Sequence, residues 1–274
     1  MPIAGALSDE AVARDGGARK LTSRRPAMDG RARRPSRGVP REACRARKMK
    51  LEAVTMRDAV RLLVFDLDGT LIDSKEDIAN SVNHALGEFG YHALPHEKIY
   101  SYVGDGATML IRRAVGDDGN GVLSSVLDAF LSDYRRRLLD TTLPYPGVAE
   151  SLEEWAGRYD MAVLTNKPLD MTHSILSGLS LDRYFADVIG GDSLDSKKPN
   201  PEGLIRIMRR RSSQPGETIM VGDSRNDVLA GRGAGVRSCG VTYGLGAAGF
   251  EEHPPDFTID SFPELFEHIH PKTY

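Results

Sequence analysis

Two aspartates one residue apart, Asp66 and Asp68, stand where an apolar run stops. The run Arg61-Leu62-Leu63-Val64-Phe65 reads as a buried strand, and it ends in Asp66-Leu67-Asp68-Gly69-Thr70. Carboxylates facing each other at a strand end repel and resist ionising together unless a cation or buried donors offset them. A hard divalent ion meets that need, and Mg²⁺ takes one or two carboxylates while keeping water and phosphate oxygens as its other ligands. Gly69 allows a tight turn, and Thr70 with Asp73 or Ser74 is placed to cap a following helix. Asp-Gly is also ordinary turn chemistry, so these residues alone leave a surface turn open.

Three later segments carry similar groups. An apolar run at 160–165 ends in Thr165-Asn166-Lys167-Pro168 before a helical pattern, so a hydroxyl and free backbone N–H groups there can cradle phosphate; taken alone, plain helix capping by Thr165 or Asn166 is the simpler account. Lys197 and Lys198 precede Pro199-Asn200-Pro201. That loop is either solvated or holds an ammonium rigidly toward an anion. Gly222-Asp223-Ser224-Arg225-Asn226-Asp227 ends another apolar run, and a capped helix accounts for either Asp223 or Asp227 singly. Together the four segments supply two acid pairs, a hydroxyl with backbone donors and a lysine, an inventory suited to phosphoryl transfer.

The elements that must position these groups follow from periodicity. Residues 75–89 place Ile78, Val82, Ala85, Leu86 and Phe89 at helical spacing, and further helical patterns cover about 96–103, 106–115 and 121–139. This helical unit ends at Leu143-Pro144-Tyr145-Pro146-Gly147. Beyond it, strands at 160–165, 187–190, 218–222, 236–241 and 256–259 alternate with helices at 148–158, 169–178, 201–211, 225–234 and 262–269. The expected fold class is α/β, a doubly wound and mostly parallel sheet, with an inserted α-helical cap. Residues 57–74 and 146–274 form the expected core and 75–145 the cap. In open sheets of this kind ligands bind beyond the carboxyl ends of the strands.

Composition narrows the partners. Residues 1–50 hold 14 Lys and Arg against 5 Asp and Glu, a net +9, while the remainder holds 22 against 34, a net −12. An acidic body makes a poor nucleic-acid surface. Residues 1–56, rich in Arg, Gly and Pro without apolar periodicity, are expected to be a disordered basic tail, or to precede a true start at Met49 or Met56. The chain has two cysteines, Cys44 and Cys239, far apart in sequence, which suits a reducing cytoplasm. No run of about 18 apolar residues is present, so no membrane partner is expected.

On DLDGTL at 66–71, LTNKP at 164–168, KKPNP at 197–201 and VGDSRND at 221–227, the chain resembles the haloacid dehalogenase superfamily over roughly residues 60–270. VIGGDSLDSKKPNP at 188–201, DSRNDVLAGRGAG at 223–235 and VTYGLG at 241–246 resemble its phosphoglycolate phosphatase group. The resemblance implies Asp66 as nucleophile forming an aspartyl-phosphate, and Asp68 as general acid and then base. It implies that Thr165, Asn166 and Lys198 hold the phosphoryl group. Mg²⁺ would be bound by Asp66, the Asp68 main-chain oxygen and Asp223, with Asp227 orienting a metal-bound water or Lys198, or ligating directly. The acid at position 68 favours phosphate-ester chemistry over dehalogenation, since a departing alkoxide needs a proton and a halide does not. Gly104-Asp105-Gly106-Ala107 resembles the cap loop that meets the site, so Gly106 counts as substrate-binding, and Arg113, or else Arg112, is the expected partner of a substrate carboxylate. The expected substrate is a small phosphorylated metabolite, first 2-phosphoglycolate, acted on by a monomer or homodimer. A pyrophosphatase, a broad sugar-phosphate or nucleotide phosphatase and a non-catalytic regulator on the same scaffold are the alternatives.

Overall fold

A computed structural model of the chain describes residues 60–116 and 121–269. The basic stretch 1–56 lies outside the described residues. Six parallel strands form one sheet: β1 (Leu62–Phe65), β4 (Asp160–Leu164), β5 (Asp187–Ile189), β6 (Thr218–Gly222), β7 (Arg237–Val241) and β8 (Phe257–Ile259), in the order β5-β4-β1-β6-β7-β8. Strand β1 is fully buried because both its faces are covered. Leu63 and Phe65 join one apolar cluster, with Trp155, Ile175 and Phe262; Leu62 and Val64 join another, with Leu204, Ile207 and Met208. Phe262 stands 5.6 Å from the Phe65 ring and stacks on Trp155 at 5.4 Å, so truncating it to Ala would cost about 3–5 kcal/mol. The α/β expectation is met.

Among the described residues the insertion that follows β1 carries four helices: α1 (Lys75–Glu88), α2 (His96–Tyr100), α3 (Ala107–Val115) and α4 (Leu123–Arg137). Ile78, Val82, Ala85 and Leu86 bury one face of α1, and α1 lies along α4 through Val126, Phe130 and Tyr134. Phe89, expected on that face, is exposed, because α1 stops at Glu88 and the chain turns at Gly90 with φ +75°. The sheet is covered by α5 (Val148–Trp155), α6 (Leu169–Gly178), α7 (Glu202–Arg210), α8 (Arg225–Ala234) and α9 (Leu265–Ile269). The last follows a short 3₁₀ turn at Phe262–Glu264, so the expected helix 262–269 is only half α.

One element went unforeseen. Strand β2 (Ile72–Asp73) pairs antiparallel with β3 (Leu143–Pro144), joining the two ends of the helical insertion. Both strands are two residues long, too short for any periodicity to show. Beside this ribbon the buried Asp77 carboxylate accepts hydrogen bonds from Thr141 N and Oγ1 and from Thr142 N and Oγ1, at 2.7–3.0 Å. Of the residues expected to cap α1, Asp73 does so, its Oδ1 accepting from Lys75 N at 3.4 Å; Ser74 makes no cap hydrogen bond, its hydroxyl donating to Asp68 instead, and Thr70 Oγ1 is buried without a partner among the described residues.

Candidate active site

The order of the sheet explains why distant residues meet. Strand β1 is central, the chain next builds β4 and β5 on one side, and later β6 to β8 on the other. The carboxyl end of β1 is therefore a topological switch point, the place where open α/β sheets bind ligands. Phe65 is in register with Val163 on one side and Val221 on the other, so Asp66, Thr165 and Asp223 emerge together.

The first carboxylate is held firmly. Asp66 N donates to Val221 O at 2.9 Å, and Asp66 Oδ1 accepts from Leu67 N at 2.7 Å and from Lys198 Nζ at 2.8 Å. Lys198 is brought in from the loop after β5 and donates also to Asp227 Oδ1 at 2.5 Å. Asp227 Oδ2 accepts from Ser224 N and Oγ, which fixes it at the start of α8. Both Asp227 oxygens thus accept hydrogen bonds, and Asp227 steadies Lys198. Asp223 Oδ2 accepts from Leu245 N at 2.7 Å and Gly246 N at 3.0 Å. Gly69, at φ +83°, must be glycine: a Cβ there would sit 2.2 Å from Asp223 Oδ2.

These three acids suit a hard cation. Asp66, Asp223 and Asp227 are buried, and their carboxylate oxygens lie within 4.8 Å of one another. Burial, with Asp227 adding repulsion, raises the Asp66 carboxyl from its usual 3.8 to about 6, although Lys198 pulls the other way. Burial and the charges of Asp66 and Asp227 raise Asp223 to about 8. Lys198 stays charged, near 12, because Asp227 and Asp66 outweigh the burial that would neutralise it. One ammonium thus faces three buried carboxylates. A divalent ion with oxygen ligands makes up the missing charge, and Asp66 and Asp223 each keep one oxygen free of hydrogen bonds among the described residues.

Asp68 leaves the same turn on the other side. Its Oδ1 accepts from Ser74 Oγ at 2.5 Å and from Lys167 Nζ at 2.6 Å, and Lys167 also donates to the Tyr134 hydroxyl of α4 at 2.7 Å. Burial works against the Lys167 charge, but Asp68 and Tyr134 hold its ammonium above the ordinary lysine value. Asp66, Asp68, Thr165 and Lys167 open on one cavity of about 50 Å³, closed on the far side by the helical insertion through Leu110, Phe130 and Tyr134. Thr165 is buried there, its Oγ1 accepting from Lys167 N at 3.2 Å.

The remaining expectations divide. Gly106 does line the cavity; its φ is +87°, and a Cβ would come within 3.2 Å of Asn166 O. The Asn166 side-chain NH₂ donates to Gly104 O at 2.9 Å and Lys198 O at 3.0 Å, so it ties loops together, while its Oδ1 is buried without a partner among the described residues and its backbone N–H is the donor left for a ligand. Arg113 stands apart from this cavity. It is bound to Asp105 and to Tyr102 O, and it is not among the residues lining the cavity. Sequence reasoning gave no role to Lys167, Tyr134, Asn226 or the backbone of Leu245 and Gly246. Asn226 Nδ2 donates to Asp105 Oδ1 at 2.7 Å, linking α8 to the insertion. For Lys167 a signal existed, a lysine inside LTNKP at a strand end; for Tyr134, one apolar-face residue of a helix, none did.

Known proteins place this arrangement. The sequence pattern of the haloacid dehalogenase-like hydrolases matches residues 63–241. A phosphoglycolate phosphatase of Vibrio parahaemolyticus is 40% identical over 226 residues, covering 78% of this chain and 97% of that protein. Phosphoglycolate phosphatase 1 of Pseudomonas aeruginosa is 38% identical, covering 75% and 78%. A crystal structure described as a predicted phosphoglycolate phosphatase from Haemophilus somnus 129pt aligns with a TM-score of 0.72 at 30% identity, covering 77% of this chain and 98% of that one. The chain belongs to the haloacid dehalogenase-like hydrolase family. Within it, the chain is an enzyme of the phosphatase class. No helix among the described residues is long and apolar enough to cross a membrane.

Proposed function

We propose that the protein is a Mg²⁺-dependent phosphomonoesterase whose preferred substrate is 2-phosphoglycolate, hydrolysed to glycolate and phosphate. The observation that carries this reading is the pair Asp66 and Asp68, one residue apart at the end of β1 and opening on one small cavity together with Thr165. The names of the relatives support the choice of substrate.

In this reading an Asp66 oxygen attacks phosphorus while the ester P–O bond breaks, giving an aspartyl-phosphate. Asp68 donates its proton to the departing alkoxide, then takes a proton from the water that attacks the aspartyl-phosphate, releasing phosphate and restoring Asp66. Thr165 and the Asn166 N–H hold phosphoryl oxygens. Lys198, steadied by Asp227, offsets charge on Asp66 and the phosphoryl group. Asp66, Asp223 and the Asp68 main-chain oxygen would hold Mg²⁺, which supplies charge neutralisation at the carboxylate and phosphoryl oxygens. The helical insertion serves as a cap that excludes water and touches the part of the substrate beyond the phosphate. With two cysteines far apart in sequence and Cys239 buried as a free thiol, a reducing cytoplasm suits the enzyme.

The test is a kcat/KM comparison with Mg²⁺ over 2-phosphoglycolate, pyrophosphate, sugar phosphates and nucleotides. Preference for 2-phosphoglycolate is the expected result. Preference for any of the others replaces the substrate, and absence of phosphate release from all of them removes the reading.

A further inference from the structure

Lys167 is the one cation among the described residues that line the cavity. Its side chain is 4% exposed, so it is no surface lysine folded inward by chance. Two of its three ammonium protons go to Asp68 Oδ1 and the Tyr134 hydroxyl, and the third is uncommitted. The Tyr134 hydroxyl accepts from Lys167 and keeps its own proton for another acceptor. Around this pair the walls are apolar: Ile78, Leu110, Phe130, Leu131 and Met171. A negative group entering such a space needs a cation and a donor; with Thr165 and the Asn166 N–H engaged on the phosphoryl oxygens, Lys167 supplies the cation and Tyr134 a further donor.

Position decides what that group is. As general acid, Asp68 must come within hydrogen-bond reach of the ester oxygen. Lys167 Nζ lies 2.6 Å from Asp68 Oδ1, so atoms attached one or two bonds beyond the ester oxygen fall beside the ammonium. Resting on the phosphatase reading above, we propose that Lys167 and Tyr134 form the carboxylate subsite, selecting small phosphate esters whose carboxylate is carried on the carbon next to the ester oxygen. They take the place expected for Arg113, which is spent on Asp105 and the Tyr102 carbonyl. Selection is shared between the sheet, through Lys167, and the insertion, through α4.

The experiment measures kcat and KM for 2-phosphoglycolate and ethyl phosphate, which lacks the carboxylate, in the wild type, Tyr134→Phe and Lys167→Gln, with a thermal melt of each variant. Tyr134→Phe keeps the ring that stacks on Phe130, so it remains informative should Lys167→Gln fail to fold. The ratio of kcat/KM for 2-phosphoglycolate over ethyl phosphate should fall roughly 10- to 100-fold in Lys167→Gln and about 10-fold in Tyr134→Phe, mostly through KM. A wild type without preference for 2-phosphoglycolate overturns both the substrate reading and the subsite. A wild-type preference that survives unchanged in the variants overturns the subsite alone.

Discussion

Two buried lysines, Lys198 and Lys167, sit on either side of the β1 carboxyl end and are built differently. Lys198 is enclosed by Asp66 at the end of β1 and Asp227 in the first turn of α8, both groups of the sheet and its covering helices. Lys167 is enclosed by Asp68 of the sheet and Tyr134 of the insertion. The first arrangement stays complete without the helices between β1 and β4; the second does not. In the proposed mechanism the reaction chemistry thus belongs to the sheet, while the environment of the leaving group is shared. Changes around Lys198 should depress turnover of every substrate, and changes around Lys167 should depend on which substrate is offered.

The largest test of the sheet side is Asp66→Asn, which should lower kcat on the order of 10⁴-fold or more for all phosphate esters, read as phosphate release. Turnover within a hundredfold of the wild type would remove Asp66 as nucleophile. Next comes Lys198→Met. It should cost about 10²- to 10³-fold in kcat alike for charged and neutral esters, together with roughly 3–5 kcal/mol of stability, since Asp66 and Asp227 would face each other uncompensated. A loss confined to 2-phosphoglycolate would invert the contrast between the two lysines.

A smaller effect concerns the charge that the acids lack. Asp66 and Asp223 stand at about 6 and about 8 in the folded protein against 3.8 ordinarily, chiefly because burial disfavours their charged forms. Between those values the unfolded chain binds fewer protons than the folded one, so the metal-free protein loses stability as pH rises from about 4 to about 8. Mg²⁺ should therefore raise Tm more at about pH 8 than at about pH 5. At the higher pH the gain should be on the order of 5–10 °C with the ion at a hundredfold excess over its Kd. Equal shifts at both pH values, measured by calorimetry, would separate the acids from the ion. The smallest expected effect is that of Arg113→Ala: less than about fivefold in kcat/KM, the same for 2-phosphoglycolate and ethyl phosphate, since only its bonds to Asp105 and Tyr102 are lost. Selective loss on 2-phosphoglycolate would restore Arg113 as the carboxylate's partner.

The same contrast governs what could be read in the sequence. Asp66, Thr165, Lys198, Asp223 and Asp227 were legible because each follows directly on an apolar strand or its loop, and parallel topology brings such ends together. Lys167 lay within a recognised segment but next to Asn166 and Thr165, which drew the functional reading; only the packing of α4 shows that its ammonium has somewhere to go. For Arg113 the sequence could not choose, because a basic residue on a helix near Gly106 fits a substrate anion as readily as it fits Asp105. The β2–β3 ribbon was hidden for a plainer reason, since two residues per strand carry no pattern.

That ribbon has a consequence for engineering. The chain leaves the sheet at Ile72–Asp73 and returns at Leu143–Pro144, and the Asp77 carboxylate binds Thr141 and Thr142 beside this crossing. Entry and exit are stitched at a single seam. A chimaera cut just inside the seam, with Asp77, Thr141 and Thr142 retained, would transplant another protein's helices onto this sheet while keeping the graft's anchorage native.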